Sequence, residues 1–536
     1  MAEVEARRRG AVTYRQTPDG YFEKRKLRRH AGAWSLWALG VAAVISGDFF
    51  GWNFGLAYGF GGLLVATVVV TVMYFGLCYS ISEMSPALPH TGGAYSFARS
   101  AMGNWGGFAT GVAETIEYVI TPAVIVVGIG SYMSVIADDL VGSTFSEPVW
   151  WLIFYGIFVG LNYVGVEASF RFAVLICFTS LAILAVFFVG AIPNLDFQQW
   201  AIDTNGGWFI DGVPGVFYAL PFAIWFYLAI EELPLAAEES ADPKRDVPTG
   251  TMWGLRTLVV TGFLILFLNS GIEPGSAALA ESGEPLLDGL KTIFGSGTSA
   301  SILGLIAVAG LVASFHTIIF AYGRNIFSLS RAGYYPHPLS LTHGQRQTPY
   351  VALLLGAGLG WIAAYIIYKN TDTEVGAALL YMAVFGAVIS YILQCVSFVL
   401  LRRNMPHIER PFRSPVGEQG AIIAGLIALA ALGAILWNDD YRPGVYGVAA
   451  VYLVAIAYFA VAGRHRLILS PEEEFAVTLG EHGHPETEGY GTTRVEAVES
   501  PGEREPEPVG TGPPDGSSPP GGGSTPGGGP SPPGSG

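Results

Sequence analysis

The stretch ISGDFFGWN, residues 45–53, decides how the rest of this sequence is interpreted. It lies inside an apolar segment, residues 34–58, that exceeds the about 20 residues a helix needs to cross a bilayer. Asp48 stands near the middle of that segment, where a charge costs roughly 2.5–3.5 kcal/mol on insertion scales. Gly47 and Gly51 flank it and allow the backbone to leave the helix.

A broken helix with a carboxylate predicts a binding site. Irregular backbone at membrane depth occurs where it lines a cavity, and many transporters place their substrate or ion site there. The alternative is a close helix contact, because Gly47 and Gly51 also form a small-xxx-small pattern. Asp48 favours the site, since carboxylates inside a membrane usually have a function.

Composition predicts a polytopic helical membrane protein. The chain has 536 residues, of which 51% are hydrophobic and 13% charged, against about 25% charged residues in soluble domains. The net charge of −15 arises largely from the tail and loops, and nothing indicates nucleic-acid binding. Twelve apolar segments of helical length are predicted to span the membrane, at 34–58, 60–81, 105–134, 149–166, 172–192, 213–233, 252–271, 299–322, 350–368, 377–401, 419–437 and 444–462.

Three regions follow from this pattern. Residues 1–33 are predicted to be a basic cytoplasmic arm without fixed structure, and residues 34–462 the twelve-helix core. Residues 463–536, rich in Gly, Pro and Glu, are predicted to be a disordered cytoplasmic tail. Lys and Arg cluster in alternate loops, which predicts that both termini face the cytoplasm of a plasma (inner) membrane.

The sixth apolar segment ends in PFAIWFYLAIEELP, residues 221–234. Pro234 is expected to break the helix at Leu233, just after Glu231 and Glu232. In an inverted repeat, two interrupted segments five spans apart indicate a site at the membrane midplane. The alternative is that the two acids mark the cytoplasmic exit of the helix.

Three motifs resemble one superfamily, the amino acid–polyamine–organocation transporters. They are AEESADPKRDVP at 237–248, EMSPALPHTGGAY at 83–95 and RAGYYP at 331–336. The resemblance implies an all-α integral membrane fold of twelve transmembrane helices. It also implies a five-plus-five inverted-repeat (LeuT-like) core with two extra helices, broken helices 1 and 6, and alternating access.

Amino-acid members of that superfamily usually carry a Gly-Ser/Ala-Gly triplet at the first break, where amides bind the substrate carboxylate. This chain has Ser46-Gly47-Asp48 there, and an acid would repel a carboxylate but attract an amine. The stretch SGDFFGWNFG, residues 46–55, is similar to the ethanolamine permease branch. The resemblance implies a secondary active importer of ethanolamine, with an amino-acid or polyamine transporter or exchanger of the same superfamily as the alternative.

Buried polar residues in other segments are further candidates. Glu114 and Glu117 share a helix face, and two such close carboxylates cannot both ionise comfortably, so one could carry a proton. They could instead be a structural pair satisfied by hydroxyl neighbours. His316 is either a proton-relay group or a hydrogen-bonded packing residue.

The predicted site residues divide into two groups. Substrate binding is assigned to Ser46, Gly47, Asp48, Phe49, Gly51, Asn53, Glu114, Glu117, Tyr118, Trp225, Tyr227 and Glu231. Proton or ion coupling is assigned to Glu114, Glu117, Glu231 and His316. No metal or cofactor is expected, and the partners are a small amine, a coupling proton or exchanged cation, and the lipid bilayer. A channel or a membrane enzyme is disfavoured because no filter repeat and no His-Glu-x-x-His or Gly-x-Ser-x-Gly motif occurs.

Overall fold

The computed structural model describes residues 7–9, 12–15, 20–25, 27, 31–142, 145–295, 298–370, 375–439 and 442–482. The protein is mainly helical. The α-helices are α1 Ala33–Val44, α2 Ser46–Phe49, α3 Phe60–Ala87, α4 Ala94–Val141, α5 Glu147–Val164, α6 Val166–Ala191, α7 Gly212–Ile224, α8 Pro243–Ser270, α9 Ser276–Leu279, α10 Pro285–Phe294, α11 Thr298–Arg331, α12 Tyr350–Asn370, α13 Val375–Asn404, α14 Gly417–Trp437, α15 Arg442–Val461 and α16 Pro471–Val477. Three short strands, β1 Arg7–Arg9, β2 Val12–Arg15 and β3 Leu467–Ile468, form a sheet in that order.

Many of these helices are long and apolar enough to cross a membrane. Among the described residues there are nine such helices, or ten if the bent pair formed by Ala33–Phe49 and Trp52–Tyr58 is one span. The helix α7 is apolar but shorter, and α5 has 18 residues. The chain is therefore a multi-pass membrane protein, and each of the twelve predicted segments contains a helix, whereas the count of twelve crossings stays a prediction.

The first predicted break lies where the sequence placed it. The chain leaves the helix at Phe50 and Gly51 and resumes as a 3-10 helix at Trp52–Tyr58, bent by 43° from the first half. Gly51 has a φ of +97°, which a residue with a side chain rarely adopts. At Gly47 a Cβ would stand 2.5 Å from the carbonyl oxygen of Trp225, so this position needs glycine because the sixth segment approaches so closely.

The second break differs from the prediction. The helix α7 ends at Ile224, nine residues before Leu233, and Pro234 lies inside a 3-10 helix, Ile230–Glu239. Ala229 turns the chain with a φ of +84°, an uncommon conformation for a residue other than glycine. No glycine or proline marks residues 225–229, so a break made by tertiary contacts gave no local signal.

Both ends of the core are more ordered than predicted. The strand β3 pairs with β2, with Tyr14 opposite Leu467, and α16 packs against α4. Residues 463–482 and much of residues 12–33 therefore belong to the folded part, which corrects the predicted disorder of the two terminal regions. The acidic composition of 471–474 suggested solvent, but Glu472 and Glu473 are buried and form ion pairs with Arg331 and Arg99. The remainder of the predicted tail, from residue 483, lies outside the described residues.

Several arginines gather at the end of the bundle that carries both ordered terminal segments. We call this the arginine-rich end. It is formed by the ends of α3, α11 and α13 and the start of α4, with Arg99, Arg331 and Arg402 as buried or partly buried members.

Candidate functional site

Asp48 lies in the break of the first helix and is 1% exposed. Thr261 of α8 and Tyr227 of the second break are the polar groups that interact with it. Neither carboxylate oxygen has a partner with good hydrogen-bond geometry, and no arginine or lysine pairs with it within the described residues. A buried carboxylate without a counter-ion is costly, so this position favours a proton or a bound cation.

The backbone amides around Asp48 are occupied. Four N–H groups of this break donate to acceptors of the protein itself, at distances of 2.9–3.0 Å. The pairs are Ser46 to the Ser314 hydroxyl, Asp48 to the Ile45 carbonyl, Phe50 to the Ser46 carbonyl and Gly51 to the Asn53 side-chain carbonyl. These four amides are therefore not available to bind the carboxylate of a substrate.

The side chain of Asn53 makes structural hydrogen bonds within the protein. Its side-chain amide donates to the carbonyls of Leu279 at 2.7 Å and Ser282 at 2.8 Å, while its oxygen accepts from Gly51. Asn53 therefore fastens the loop after α8 to the first break, and its hydrogen-bonding groups are used without a substrate.

The predicted aromatic residues mostly pack the two breaks together. The indole N–H of Trp225 donates to the Phe50 carbonyl at 2.8 Å. Phe49 covers Gly310, where a Cβ would stand 2.4 Å from the ring. The Tyr227 hydroxyl is hydrogen-bonded to Thr71 at 2.8 Å, and it interacts electrostatically with Asp48. Among these side chains, Tyr227 is therefore the one with a polar group that interacts with the carboxylate.

A second acidic group lies on the other side of Tyr227. The carboxyl groups of Glu117 and Glu231 are neighbours that interact with each other, and two carboxyl groups this close favour sharing one proton. Tyr391 donates to Glu117 at 3.3 Å and is hydrogen-bonded to Tyr74 at 2.9 Å. The Tyr74 and Tyr227 rings are 5.3 Å apart, so aromatic side chains connect the two acidic groups.

Glu114 and Glu232 complete this second group. Glu114 accepts from Tyr118 at 3.4 Å and from Asn325 at 3.3 Å, and it interacts electrostatically with Glu231. Glu232 is 2% exposed, and neither of its oxygens has a hydrogen-bond partner among the described residues. The structure thus brings the predicted acids together in two sets rather than one, with Asp48 apart from the four glutamates.

Comparison with known proteins decides the family. The family described as "Amino acid permease" matches residues 37–466, which is most of the chain. The chain belongs to the amino acid permease family. An uncharacterized transporter of Rhizobium meliloti (strain 1021) is 28% identical and covers 82% of this chain and 92% of its own length. A methylthioribose transporter of Bacillus subtilis (strain 168) is 24% identical over 84% of this chain, and a branched-chain amino acid permease of the same organism 23% over 82%; these matches cover 97% and 95% of the two relatives.

The family makes this permease a transporter and not an enzyme. Within its described residues, no group of three or more His, Cys, Asp or Glu side chains is arranged to hold a metal ion.

His316 of the permease is hydrogen-bonded to residues of α5 and α6. Its ring nitrogens are hydrogen-bonded to Asn162 at 3.0 Å and to Ser169 at 2.9 Å, and its ring packs against Phe172 at 5.0 Å. No carboxylate is among these partners. The contacts favour the packing interpretation over the proton relay.

The motifs that carried the resemblance form ion pairs at the arginine-rich end. Glu238 pairs with Arg331 at 2.6 Å, and Glu239 pairs with Arg324 at 2.8 Å. Glu83, at the end of α3 where the second motif begins, pairs with Arg402 at 2.6 Å. The signature of the permease family therefore holds this end together and does not form the acidic groups at the breaks.

Sequence reasoning missed several residues of the two acidic groups. They are Thr71, Tyr74, Glu232, Thr261, Asn325 and Tyr391. Glu232 is adjacent to Glu231 in the sequence but is not among the predicted site residues. The others come from four different helices, and no local pattern in the sequence relates them.

Proposed function

We propose that this permease imports a small amine without a carboxylate, with ethanolamine as the substrate. The observation that carries the proposal is Asp48, a buried carboxylate with no basic partner within the described residues, beside four amides that already have acceptors. Such a site attracts an ammonium group and offers nothing to a substrate carboxylate. The resemblance of residues 46–55 to ethanolamine permeases supports the same substrate.

The ammonium would bind Asp48, with Tyr227 beside it for a cation–π contact. The Thr261 hydroxyl already interacts with Asp48, so it could bind the substrate hydroxyl. Each charge-assisted hydrogen bond of this kind contributes about 1.5–3 kcal/mol.

The four glutamates would serve coupling. Glu117 and Glu231 are neighbours that could share one proton. Glu114 and Glu232 interact with Glu231, and their negative charge would disfavour ionisation of both carboxyl groups of the pair. Loss or gain of that proton would change the charge next to the second break, where the chain is already irregular. This arrangement suits proton symport, with exchange against another cation as its competitor.

The proposed architecture is the twelve-helix, five-plus-five inverted repeat with alternating access. Two broken segments, the first and the sixth, pack against each other through Gly47 and Trp225, as an inverted repeat requires. The surplus of Lys and Arg supports a cytoplasmic location for the arginine-rich end and for both termini.

Transport of an amino acid is the second candidate. Two relatives are named as a branched-chain amino acid permease and a probable threonine/serine transporter, both of Bacillus subtilis. A substrate of that kind would have to place its carboxylate away from Asp48.

Uptake of labelled ethanolamine into proteoliposomes tests the proposal, with and without an imposed proton gradient and with excess L-alanine. We expect saturable uptake that alanine leaves unchanged and that Asp48→Asn reduces strongly. The matched control is Asp138→Asn, which alters an exposed aspartate at the end of α4. Alanine uptake without ethanolamine uptake would replace our substrate with an amino acid.

A further inference from the structure

A groove runs along the outer surface between α5 and α12. Its volume is about 790 Å³, and apolar side chains line it, with Leu152 and Leu354 each 62% exposed. Gly156, Gly160 and Gly358 form its open parts, because no atom lies within 4 Å of the place where a Cβ would stand. The helix α12 is apolar enough to span a membrane, so the groove faces lipid.

The groove ends at aromatic rings near the arginine-rich end. Tyr163 and Tyr350 line it there, with ring centroids 6.4 Å apart. The guanidinium carbon of Arg346 lies 4.6 Å from the centre of the Tyr163 ring. Arg346 also lines a second pocket, together with Arg171 and residues 164–168. The apolar groove and this basic pocket therefore meet at Tyr163.

The basic pocket has one positive charge in excess. Arg171 is paired with Glu167 at 2.6 Å, in a largely exposed pair of little strength. Arg346 has no carboxylate partner within the described residues. Two arginines and one glutamate leave a net charge of +1 at the helix ends, the depth at which lipid headgroups lie.

We propose that this surface binds an anionic phospholipid. One acyl chain fills the glycine-lined groove, and the phosphate lies beside Arg346. A basic pocket between membrane helices is the arrangement that recognises anionic headgroups. A second copy of the chain could also fill the groove. The excess positive charge of the basic pocket favours the lipid, because an anionic headgroup supplies the negative charge that the pocket lacks.

Native mass spectrometry of the purified full-length permease tests the site, after incubation with phosphatidylglycerol or, separately, phosphatidylcholine. We expect retained phosphatidylglycerol, reduced by Gly160→Leu, which fills the groove. Arg346→Gln should reduce it roughly fivefold, as expected for one basic residue near an anionic surface. Gly447→Leu, at an equally open glycine of α15, and Arg413→Gln, at an exposed arginine, are the controls.

Equal retention in the four variants would overturn the proposal, as would equal retention of the two lipids. A changed oligomeric state in Gly160→Leu, with lipid retention unchanged, would identify a second copy as the occupant instead. Each readout is independent of transport activity.

A second observation concerns residues 467–477, which we call the C-terminal strap. Its helix α16 places Glu472 and Glu473 in the protein interior, at 1% and 0% exposure. Glu472 pairs with Arg331, which also holds Glu238 from the segment after the second break. Glu473 accepts hydrogen bonds from five side chains at 2.7–3.2 Å, those of Tyr14, Tyr95, Arg99, Asn104 and Tyr334.

The strap therefore joins α4, α11 and the segment after the second break. Resting on the alternating access proposed above, we infer that the strap holds the arginine-rich end closed and withdraws before this end opens. The pairs of Glu472 and Glu473 are the contacts that opening must break.

Labelling of Cys78 tests this inference without any substrate. Cys78 is buried on α3 and lies near Glu231, so a thiol reagent reaches it when the end opens. In nanodiscs, with Cys177 and Cys395 replaced by alanine, we expect Glu473→Gln to raise the labelling rate several-fold. Glu481→Gln, in an exposed part of the same terminus, should leave it unchanged.

An unchanged rate in Glu473→Gln would overturn the inference. So would a raised rate that occurs together with a melting temperature near that of the assay, since this would show a purely structural role. Because no transport is measured, either outcome leaves the substrate proposal to its own test.

Discussion

Two sets of buried acids in this permease have the same side chains and opposite surroundings. At the arginine-rich end, arginines pair with each acid at close range. At the helix breaks, equally buried acids have hydroxyl groups, amides or other carboxylates as neighbours, and no arginine within the described residues. The first set comprises Glu83, Glu238, Glu239, Glu472 and Glu473, and the second Asp48, Glu114, Glu117, Glu231 and Glu232.

The difference separates structure from function. A buried carboxylate needs a counter-ion or a proton, because its desolvation costs several kcal/mol. At the arginine-rich end the protein itself supplies the counter-ion, so the charge of those acids is already balanced. At the breaks the positive charge has to come from outside, which is what a site for an amine or a proton requires.

The largest effect should follow from breaking an ion pair at the arginine-rich end. Arg331→Met removes the arginine that pairs with the buried Glu238 and Glu472, and we expect a loss of about 3–5 kcal/mol in the free energy of unfolding. Thermal unfolding in detergent measures it. Adding Glu238→Gln and Glu472→Gln should restore most of the loss, and no recovery would contradict the pairing.

The next effect should be on transport. Asp48→Asn removes the charge that binds the ammonium, and losing one charge-assisted hydrogen bond of about 1.5–3 kcal/mol lowers kcat/KM for ethanolamine about 10- to 100-fold. The melting temperature should stay the same or rise, because Asp48 has no counter-ion to lose within the described residues. Uptake kinetics test the expected loss of transport, and melting curves test the expected stability. Normal uptake kinetics in Asp48→Asn would contradict the proposed amine site.

A smaller effect is expected at the coupling group. Glu117→Gln cannot share a proton with Glu231, so uptake should lose its dependence on a proton gradient. Exchange of labelled for unlabelled ethanolamine should remain within about tenfold, or about 1.4 kcal/mol, because Asp48 is intact. A variant with full gradient dependence would remove Glu117 from the coupling pathway.

The smallest effect is expected on the stability of the protein at low pH. Burial alone would raise the pKa of Glu472, but Arg331 and His90 hold that pKa below its ordinary value of 4.5. The unfolded chain therefore binds a proton at a higher pH than the folded one, and the stability from Glu472 is lost as the pH falls below about 4.5. Melting temperatures measured down the acidic range should show a shallower decline in Glu472→Gln. An identical decline would deny Glu472 this contribution.

Local patterns predicted much of this fold. The apolar segments, the broken first helix and Asp48 within it could be found because length, glycine and a charge at membrane depth are local signals. The second break could not, since Ala229 turns the chain with a φ of +84° although no glycine or proline lies at residues 225–229. Pro234 was the breaker chosen from the sequence, and it led to a boundary nine residues too late.

The candidate site was only partly predictable for the same reason. Glu114 and Glu117 could be paired from their spacing in one helix, but their meeting with Glu231 depends on how the helices pack. Asn53 had the right chemistry for a ligand, yet a distant loop uses its hydrogen bonds. The acids at 472 and 473 had the composition of a solvated tail and are instead counter-ions of buried arginines.

The sequence by itself determined that this chain is a multi-pass membrane protein, to which family it belongs, and that an acid stands at a helix break. These properties depend on composition and on residues adjacent along the chain. The tertiary structure alone decided which acids have an arginine and which do not, because a counter-ion can come from any part of the chain. That division separates the acids that hold the fold together from the acids proposed to bind the amine and the proton.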